Sequence, residues 1–289
     1  MLISTLSNIE EISEINIDVW LLSLKGYSWK ANTYFTLEQI EDIIKNNSKE
    51  FWVVINKMVE EDDLAIIKET LIKLKQIGVK GIVYCSLAVY QLAKSLEMTD
   101  LLIYQADTLI TNKKDAEVFK ELNKAVIIAK ELPIKDILNI VGDNYADFGM
   151  HIHGFLNMSY SKRKFLTNYF AYLNQDFNNK GNYFLQEETR SLKMPILEEE
   201  LGTSIYTGWI LESLEYFKEI NLKVKYLIID SLFLSSSQLQ ATVAAYHCLI
   251  AGGSLEQARG LLPLVKNHDY NTGYHNLKTK KTQEEITNE

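Results

Sequence analysis

Proline and cysteine are scarce in this 289-residue chain, three and two in all, and glycine is sparse at thirteen. With so few turn-formers there is no Pro/Gly-rich linker, which excludes domains strung on long disordered connectors. Cys85, in IVYCSL, and Cys248, in AYHCLI, are far apart and set in apolar runs, so the expectation is two buried free thiols and no disulfide scaffold. Apolar runs are also short. None approaches the roughly 20 residues of a membrane span, and the opening MLISTLSNIEEISE lacks a basic region followed by an apolar stretch. The expectation is a cytoplasmic protein with no membrane contact. Positive charge is in deficit, 30 Lys and Arg against 38 Asp and Glu, for a net charge of −8. A dedicated nucleic-acid binder carries the opposite balance, although a local basic patch can still hold phosphate. There is no G-x-G-x-x-G, no H-E-x-x-H and no G-x-S-x-G, which counts against a dinucleotide fold, a zinc peptidase and a nucleophile elbow.

What is present is a regular alternation, with 47% hydrophobic residues to build a core. The strand-like runs are DVWLLSL, EFWVVINK, KGIVYCS, DLLIYQAD, KAVIIAKEL, DFGMHIHG and VKYLIIDS. They are apolar at successive positions, as strands buried on both faces of a parallel sheet are. Helical segments lie between them. Thr36 with Gln39 forms a capping box for TLEQIEDII, Gly78 stops the helix after DLAIIKETLIKLKQI, Asn112 opens KKDAEVFKEL, and Pro133 opens IKDILNIV. An acidic helix is expected over SNIEEISEI. The pattern predicts an α/β fold, a TIM-barrel-like (β/α) domain over 1–275 with a charged tail over 276–289. The rhythm breaks at 171–208, which reads as a long polar loop inserted on the site face.

The densest stretch is GMHIHGFLNMSYSKRKFLTNYF, residues 149–170. His151 and His153, two apart, point to one face of a strand and could hold zinc if a third ligand joined them. The alternative is a strand-end histidine and a loop-bonding one, and no metal is expected. The strand is expected to deliver His153 to the barrel mouth, followed by a basic and aromatic turn. Ser161 is a candidate nucleophile with His153 as base. Lys162, Arg163 and Lys164, interleaved with Tyr160, Phe165, Tyr169 and Phe170, have the composition that holds phosphates and stacks bases; the competing reading is a solvated helix start over core aromatics. Lys180 and Arg190 add cations in the polar loop. Lys25, Tyr27, Lys30 and Asn32 occupy an early strand-to-helix loop, where Trp29 and Tyr34 would be costly to expose.

Five segments in order resemble one family. NIDVWLLSLKGYSWKANTYFTLEQIEDII carries a strand leading to a Gly-aromatic-Ser loop, and LIYQADTLITN stands where the family reads His-Ala-Ser-Thr-Gln. HGFLNMSYSKRKFLTNYF follows the signature His-Gly-x-x-Cys-x-x-Tyr-Ser-Gly-Arg-Cys. NKGNYFLQEETR and NHDYNTGY match two later motifs. The chain thus resembles the peptidase U32 family over nearly its whole length. The resemblance implies a TIM-barrel-like domain, His153 and Gly154 lining the site, and Ser161 and Arg163 as retained signature residues. It also implies an iron–sulfur cluster on four thiolates, yet the matching positions read Asn157, Lys164, Tyr183 and Ile210. Thiolates are soft anionic donors, so no cofactor is expected here. Relatives in the family hydroxylate tRNA wobble uridine, ribosomal RNA and ubiquinone precursors, and members act in pairs. The leading expectation is a cluster-free accessory subunit in tRNA wobble-uridine 5-hydroxylation, partnered by a longer cysteine-bearing relative. A collagenase-like peptidase and a non-catalytic small-molecule binding barrel are the alternatives.

Overall fold

The apolar strands close on themselves. The computed structural model describes residues 1–142, 148–178, 181–189 and 191–277, so Lys180, Arg190 and the tail from 278 lie outside the described residues. Six parallel strands come first: β1 (Leu2–Thr5), β2 (Val19–Ser23), β3 (Glu50–Ile55), β4 (Gly81–Tyr84), β5 (Leu102–Tyr104) and β6 (Ala125–Ile127). Strand β7 (Phe148–Ser161) is parallel to β6 only at its start. Its far half pairs antiparallel in a sheet built by β8 (Tyr183–Leu185), β9 (Met194–Glu199) and β10 (Gly202–Glu212). Strand β11 (Tyr226–Ile229) then lies parallel to both β7 and β1 and closes an eight-stranded barrel. A short β12 (Tyr270–Asn271) pairs with β10.

Helices α1 (Glu11–Glu14), α2 (Leu37–Asn46), α3 (Leu64–Ile77), α4 (Leu87–Ser95), α5 (Lys113–Leu122) and α6 (Ile134–Val141) fall between the first strands. Helix α7 (Phe165–Tyr172) follows β7, α8 (Phe217–Lys223) precedes β11, and α9 (Ser236–Ile250) and α10 (Leu255–Leu261) follow it. Among the described residues no helix is long and apolar enough to cross a membrane. Strand alternation sends Ile3, Leu21, Trp52, Val54, Ile103 and Ile228 into the barrel, while Trp20, Phe51, Val53, Ile82 and Leu227 pack outward under the helices. Both faces are dry, which is why the strands read as unbroken apolar runs.

The local signals hold. Thr36 and Gln39 make the reciprocal capping box, Asn112 caps α5, Pro133 precedes α6 and Gly78 ends α3 at φ 82°. Three expectations need correction. The segment 171–208 is not a polar loop: most of its second half is strand β9 and the start of β10, an antiparallel arm on the extended β7. Strand β9 is largely half-buried, whereas β10 is buried along almost its whole length. SNIEEISEI forms only the four-residue α1. KAVIIAKEL stays in the barrel only to Ile127, which frees Lys130 for the rim.

Strand β7 changes partners at Gly154, where φ is +119°. A Cβ there would lie 2.6 Å from the Asp230 carbonyl oxygen and 2.7 Å from its Cβ. Both the conformation and the close approach demand glycine. Gly154→Ala is expected to cost about 3 kcal/mol in urea denaturation; a loss below about 1 kcal/mol would mean that β7 can leave the barrel by another path.

Candidate functional site

The residues just past the strand ends converge on one rim of the barrel. Lys30 follows β2, Asn56 follows β3, Cys85 follows β4, Gln105 and Asp107 follow β5, Lys130 follows β6, and Asp230 follows β11. Lys30 Nζ donates to both Asp107 oxygens at 3.0 and 3.2 Å, and Lys130 Nζ reaches Asp107 Oδ2 at 3.2 Å. The side chains of Lys30 and Lys130 are 10% and 2% exposed, so one carboxylate serves two buried ammonium groups. Lys30 and Asp107 both hold left-handed backbone, φ 59° and 51°, the kind of strain that persists where a site requires it.

Charges in this dry setting are pulled apart. Burial alone would raise the Asp107 carboxyl, but Lys30 and Lys130 outweigh it and hold the group far below the usual carboxylate range. Burial works against the Lys30 ammonium too, yet Asp107 and Asp230 overcome it and its pKa rises. Lys130 goes the other way: burial dominates and lowers it. Burial also pushes Asp230 up, takes Cys85 up to about 11 with help from Asp107, and takes His151 down to about 3. His151 is therefore a neutral imidazole. Its Nε2 faces Gln105 Nε2 at 3.1 Å. With the amide nitrogen donating, the ring proton sits on Nδ1, which is buried without a partner.

Three spaces open here, one of them a 330 Å³ cleft between Lys25, Asn32, Tyr34 and Glu199. A 30 Å³ cavity is lined by His151, Asp230, Lys30, Gln105 and Ser23. Beside it lies a 180 Å³ cleft whose walls include Trp29, Lys30, Met58, Gln105, Asp107 and Tyr160. The Trp29 and Tyr160 rings stack at 4.3 Å. Trp29 is pinned through its own N–H and its indole N–H to Asn56, at 3.0 and 2.8 Å. The β9–β10 turn reaches over the rim. Glu199 accepts from Tyr34 Oη and, at 3.1 Å, from Lys30 N. Burial raises the Glu199 carboxyl, a shift these two donors partly offset. A larger groove of 340 Å³ runs between the antiparallel arm and residues 265–268, but its walls are mainly Phe155, Phe184, Ile196, Phe233 and Val265. Its one imidazole, His268, is bonded to the Gly208 carbonyl at 3.2 Å. The buried charged groups gather at the rim instead.

Some residues singled out from the sequence meet at this rim: Lys30 and Tyr160, with His151 beneath them. Others do not. His153 is fully buried on the opposite side of β7 from His151, against the rings of Tyr246 and Tyr270. A register irregularity at Ile152 breaks the pleat, since Ile228 pairs with His151 and the next residue, Ile229, with His153. The two histidines thus share no face, and His153 does not reach the mouth. Ser161 is eight residues along the same strand from His153, about 26 Å at about 3.3 Å per residue, so the two cannot relay a proton. Ser161 Oγ instead accepts from Arg163 N at 3.2 Å. Tyr160 and Ser161 lie on β7 rather than in a turn. Lys162 pairs with Glu60, and Lys164 donates to the Glu199 carbonyl. Lys25 and Arg163 are exposed. Asn32 is a clamp, donating to Ser231 O at 2.9 Å and accepting from Phe233 N at 3.3 Å. Tyr27 lies under the Lys57 ammonium. Asp107, Lys130, Gln105, Asp230 and Glu199 were missed. For the first four, the available signal was a polar group just after an apolar strand.

The positions matched to cluster thiolates carry an amide, an ammonium, a phenol and an alkyl group at Asn157, Lys164, Tyr183 and Ile210. Ile210 is packed among Phe155, Tyr206 and Leu232. Cys85 is at the rim and Cys248 on α9. This donor set does not fit an iron–sulfur cluster.

A parallel barrel whose seventh strand extends into an antiparallel arm, with a lysine–aspartate–lysine cluster at its mouth, defines an α/β barrel protein whose candidate site is the C-terminal rim. The chain belongs to Peptidase family U32, whose model matches residues 4–285. It is 26% identical over 195 residues to tRNA hydroxylation protein P2 of Bacillus subtilis, covering 64% of this chain and 63% of that protein. It is 29% identical over 161 residues to the uncharacterized protease MJ0090 of Methanocaldococcus jannaschii, covering 53% of this chain and 39% of the other. These matches therefore span under two thirds of either relative. The solved U32 peptidase Mk0906 shares the fold, with a TM-score of 0.51 at 10% identity over 79% of this chain and 91% of that one.

Proposed function

We propose that this chain takes part in tRNA hydroxylation at the wobble uridine, as a subunit acting with a longer, cysteine-bearing U32 relative. The observation that carries the reading is the match to tRNA hydroxylation protein P2. Two features of the site support it. The rim offers aromatic surface beside a buried ammonium, a combination suited to a nucleobase. The thiolate positions hold no thiolates, so a redox cluster has to come from a partner. Binding to tRNA through this chain alone is weak in this reading, because the net charge is −8 and Lys162 and Lys164 are already engaged. Arg163 and Lys25 remain as exposed cations for phosphate. The family name and a protease-named relative favour a peptidase reading, but the site does not support it, since Ser161 Oγ is bonded to Arg163 N and has no imidazole partner among the described residues.

The test is deletion of the coding sequence in the native host, followed by nucleoside mass spectrometry of purified tRNA. Loss of 5-hydroxyuridine and its derivatives, restored by the intact chain, is expected. Undiminished modification overturns the proposal. Co-purification of the longer relative on a tagged chain tests the pairing, and a tagged chain that elutes alone from native lysate overturns it.

A further inference from the structure

We propose that the groove between the antiparallel arm and residues 265–268 binds one nucleotide of single-stranded RNA, with the base on Phe184 and the phosphate on Lys266. This rests on the tRNA reading above and gives it a second contact, outside the rim, for a nucleotide beside the wobble position. The groove measures 340 Å³, at the lower end of the about 300–1,000 Å³ that small-molecule sites occupy, which is room for a single nucleotide. The rings of Phe155, Phe184 and Phe233 and the imidazole of His268 line it. These rings hold one another in place. Phe155 stands edge-on to His268 at 4.9 Å and to Phe233 at 5.4 Å, and Phe184 lies 5.8 Å from His268. His268 is fixed in turn by the Gly208 carbonyl at 3.2 Å from Nδ1. Phe184 nevertheless keeps 43% of its surface exposed. Every base has a π-face, so an open aromatic wall of this kind accepts any base and reads no sequence.

Charge decides which ligand fits. The chain carries 38 acidic against 30 basic side chains, and each of the three spaces at the rim contains a carboxylate. These are Glu199 and Glu200 in the 330 Å³ cleft, Asp107 in the 180 Å³ cleft and Asp230 in the 30 Å³ cavity. The groove has no aspartate or glutamate in its lining, and it has Lys266. Lys266 is exposed and has no ion-pair partner among the described residues, whereas Lys162 and Lys164 are engaged. An acid-free aromatic groove with one uncommitted ammonium is complementary to a flat ring joined to an anion, as in a nucleotide. Position points the same way. Phe233 lines the groove and Asp230, three residues earlier, lines the rim cavity, so at most about 10 Å of chain separates the two. An RNA strand with one base at the rim can set a neighbouring one in the groove.

The test is titration of the purified full chain with uridine 5′-monophosphate, adenosine 5′-monophosphate, ribose 5-phosphate and benzoate at millimolar concentrations. The reporter is the His268 ring C2–H resonance, one of five from histidine, assigned by its loss in His268→Gln. Both nucleotides are expected to shift it saturably, adenosine monophosphate more tightly because its base offers a larger face. Ribose 5-phosphate, which has the anion without the base, should bind at least about tenfold more weakly. Phe184→Ala should weaken both nucleotides by about tenfold. Lys266→Gln, with heptauridylate as the ligand, should reduce the slope of log affinity on log salt by about 0.7. Lys266 is on the surface, so this second variant should fold whatever Phe184→Ala does, and thermal melts check both. No saturable shift in the wild type, ribose 5-phosphate or benzoate binding as tightly as the nucleotides, or a Lys266→Gln slope equal to wild type overturns the assignment. Phe184→Ala with Lys266→Gln, returned to the deletion strain, separates the two ideas. If deletion abolishes tRNA hydroxylation but the double variant restores it fully, the groove is wrong and the tRNA reading stands. If deletion changes nothing while the chain binds both nucleotides in the groove, the groove stands and the tRNA reading falls.

Discussion

Asp107→Ala is expected to destabilise the protein by about 3–5 kcal/mol, the largest effect of any single change at the rim. The wild-type carboxylate neutralises two ammonium groups, Lys30 at 3.0 Å and Lys130 at 3.2 Å. Removing it leaves both cations where water cannot reach them well, and an uncompensated buried charge costs more than the pair gained. The two orphans are not equivalent. Lys30 keeps some compensation from Asp230, whereas Lys130, 2% exposed, keeps little. Lys130 is already displaced toward the neutral amine by burial, so the deficit should shrink as pH rises and the amine enters the folded state uncharged. Urea denaturation of wild type, Asp107→Ala and the double variant Asp107→Ala with Lys130→Met tests this. The double variant should recover a large part of the loss, because it removes the cation that Asp107 served. A single-variant loss under about 1 kcal/mol, or a double variant no better than the single, would mean the cluster is effectively solvated.

That cluster marks where the sequence stopped being readable. The barrel was legible because each of its strands carries its own signature. EFWVVI in β3 and YLII in β11 are apolar on both faces, and this pattern survives only between two dry layers. The α2 cap was legible because Thr36 and Gln39 are three residues apart. The antiparallel arm was not, because its pairing is long-range: Ser161 meets Thr203 across 42 positions, and MPILEE in β9 and GTSIYTGWILE in β10 show neither an unbroken apolar run nor a regular alternation. Of the site, Lys30 and Tyr160 drew notice as a cation in a rim loop and an aromatic beside cations. Asp107 did not, because its meaning depends on Lys30, 77 residues away, and Lys130, 23 residues away. Only barrel closure brings the ends of β2, β5 and β6 together. His153 was misplaced for a smaller reason: one irregularity at Ile152 reverses the pleat, and nothing in the local sequence announces it.

Stability should fall steeply on mild acidification, because three histidines are buried in the neutral form. Burial takes His151 and His153 to about 3 and His275 to about 4, against about 6.5 in an unfolded chain. The folded pKa values are depressed, so this contribution is complete above the unfolded pKa and is lost as pH falls toward the folded ones. Between about pH 6.5 and 4 the unfolded chain takes up protons that the folded chain refuses, at about 1.4 kcal/mol per pH unit for each histidine. Three together set an upper limit of about 4 kcal/mol per unit. The raised carboxyls of Asp230 and Glu199 act in the opposite sense, since they bind protons more readily folded than unfolded, so the observed slope should lie below that limit. His153 offers the cleanest test. Its shift comes from burial alone, it lies between the rings of Tyr246 and Tyr270, and its Nε2 is buried without a partner. His153→Phe should therefore reduce the pH slope by about 1 kcal/mol per unit while leaving the rim intact. The measurement is the urea midpoint of wild type and variant at several pH values between about 7 and 5. A flat wild-type profile would mean that these imidazoles accept protons in the folded state. A variant slope equal to wild type would mean that His153 is not among the residues that resist protonation.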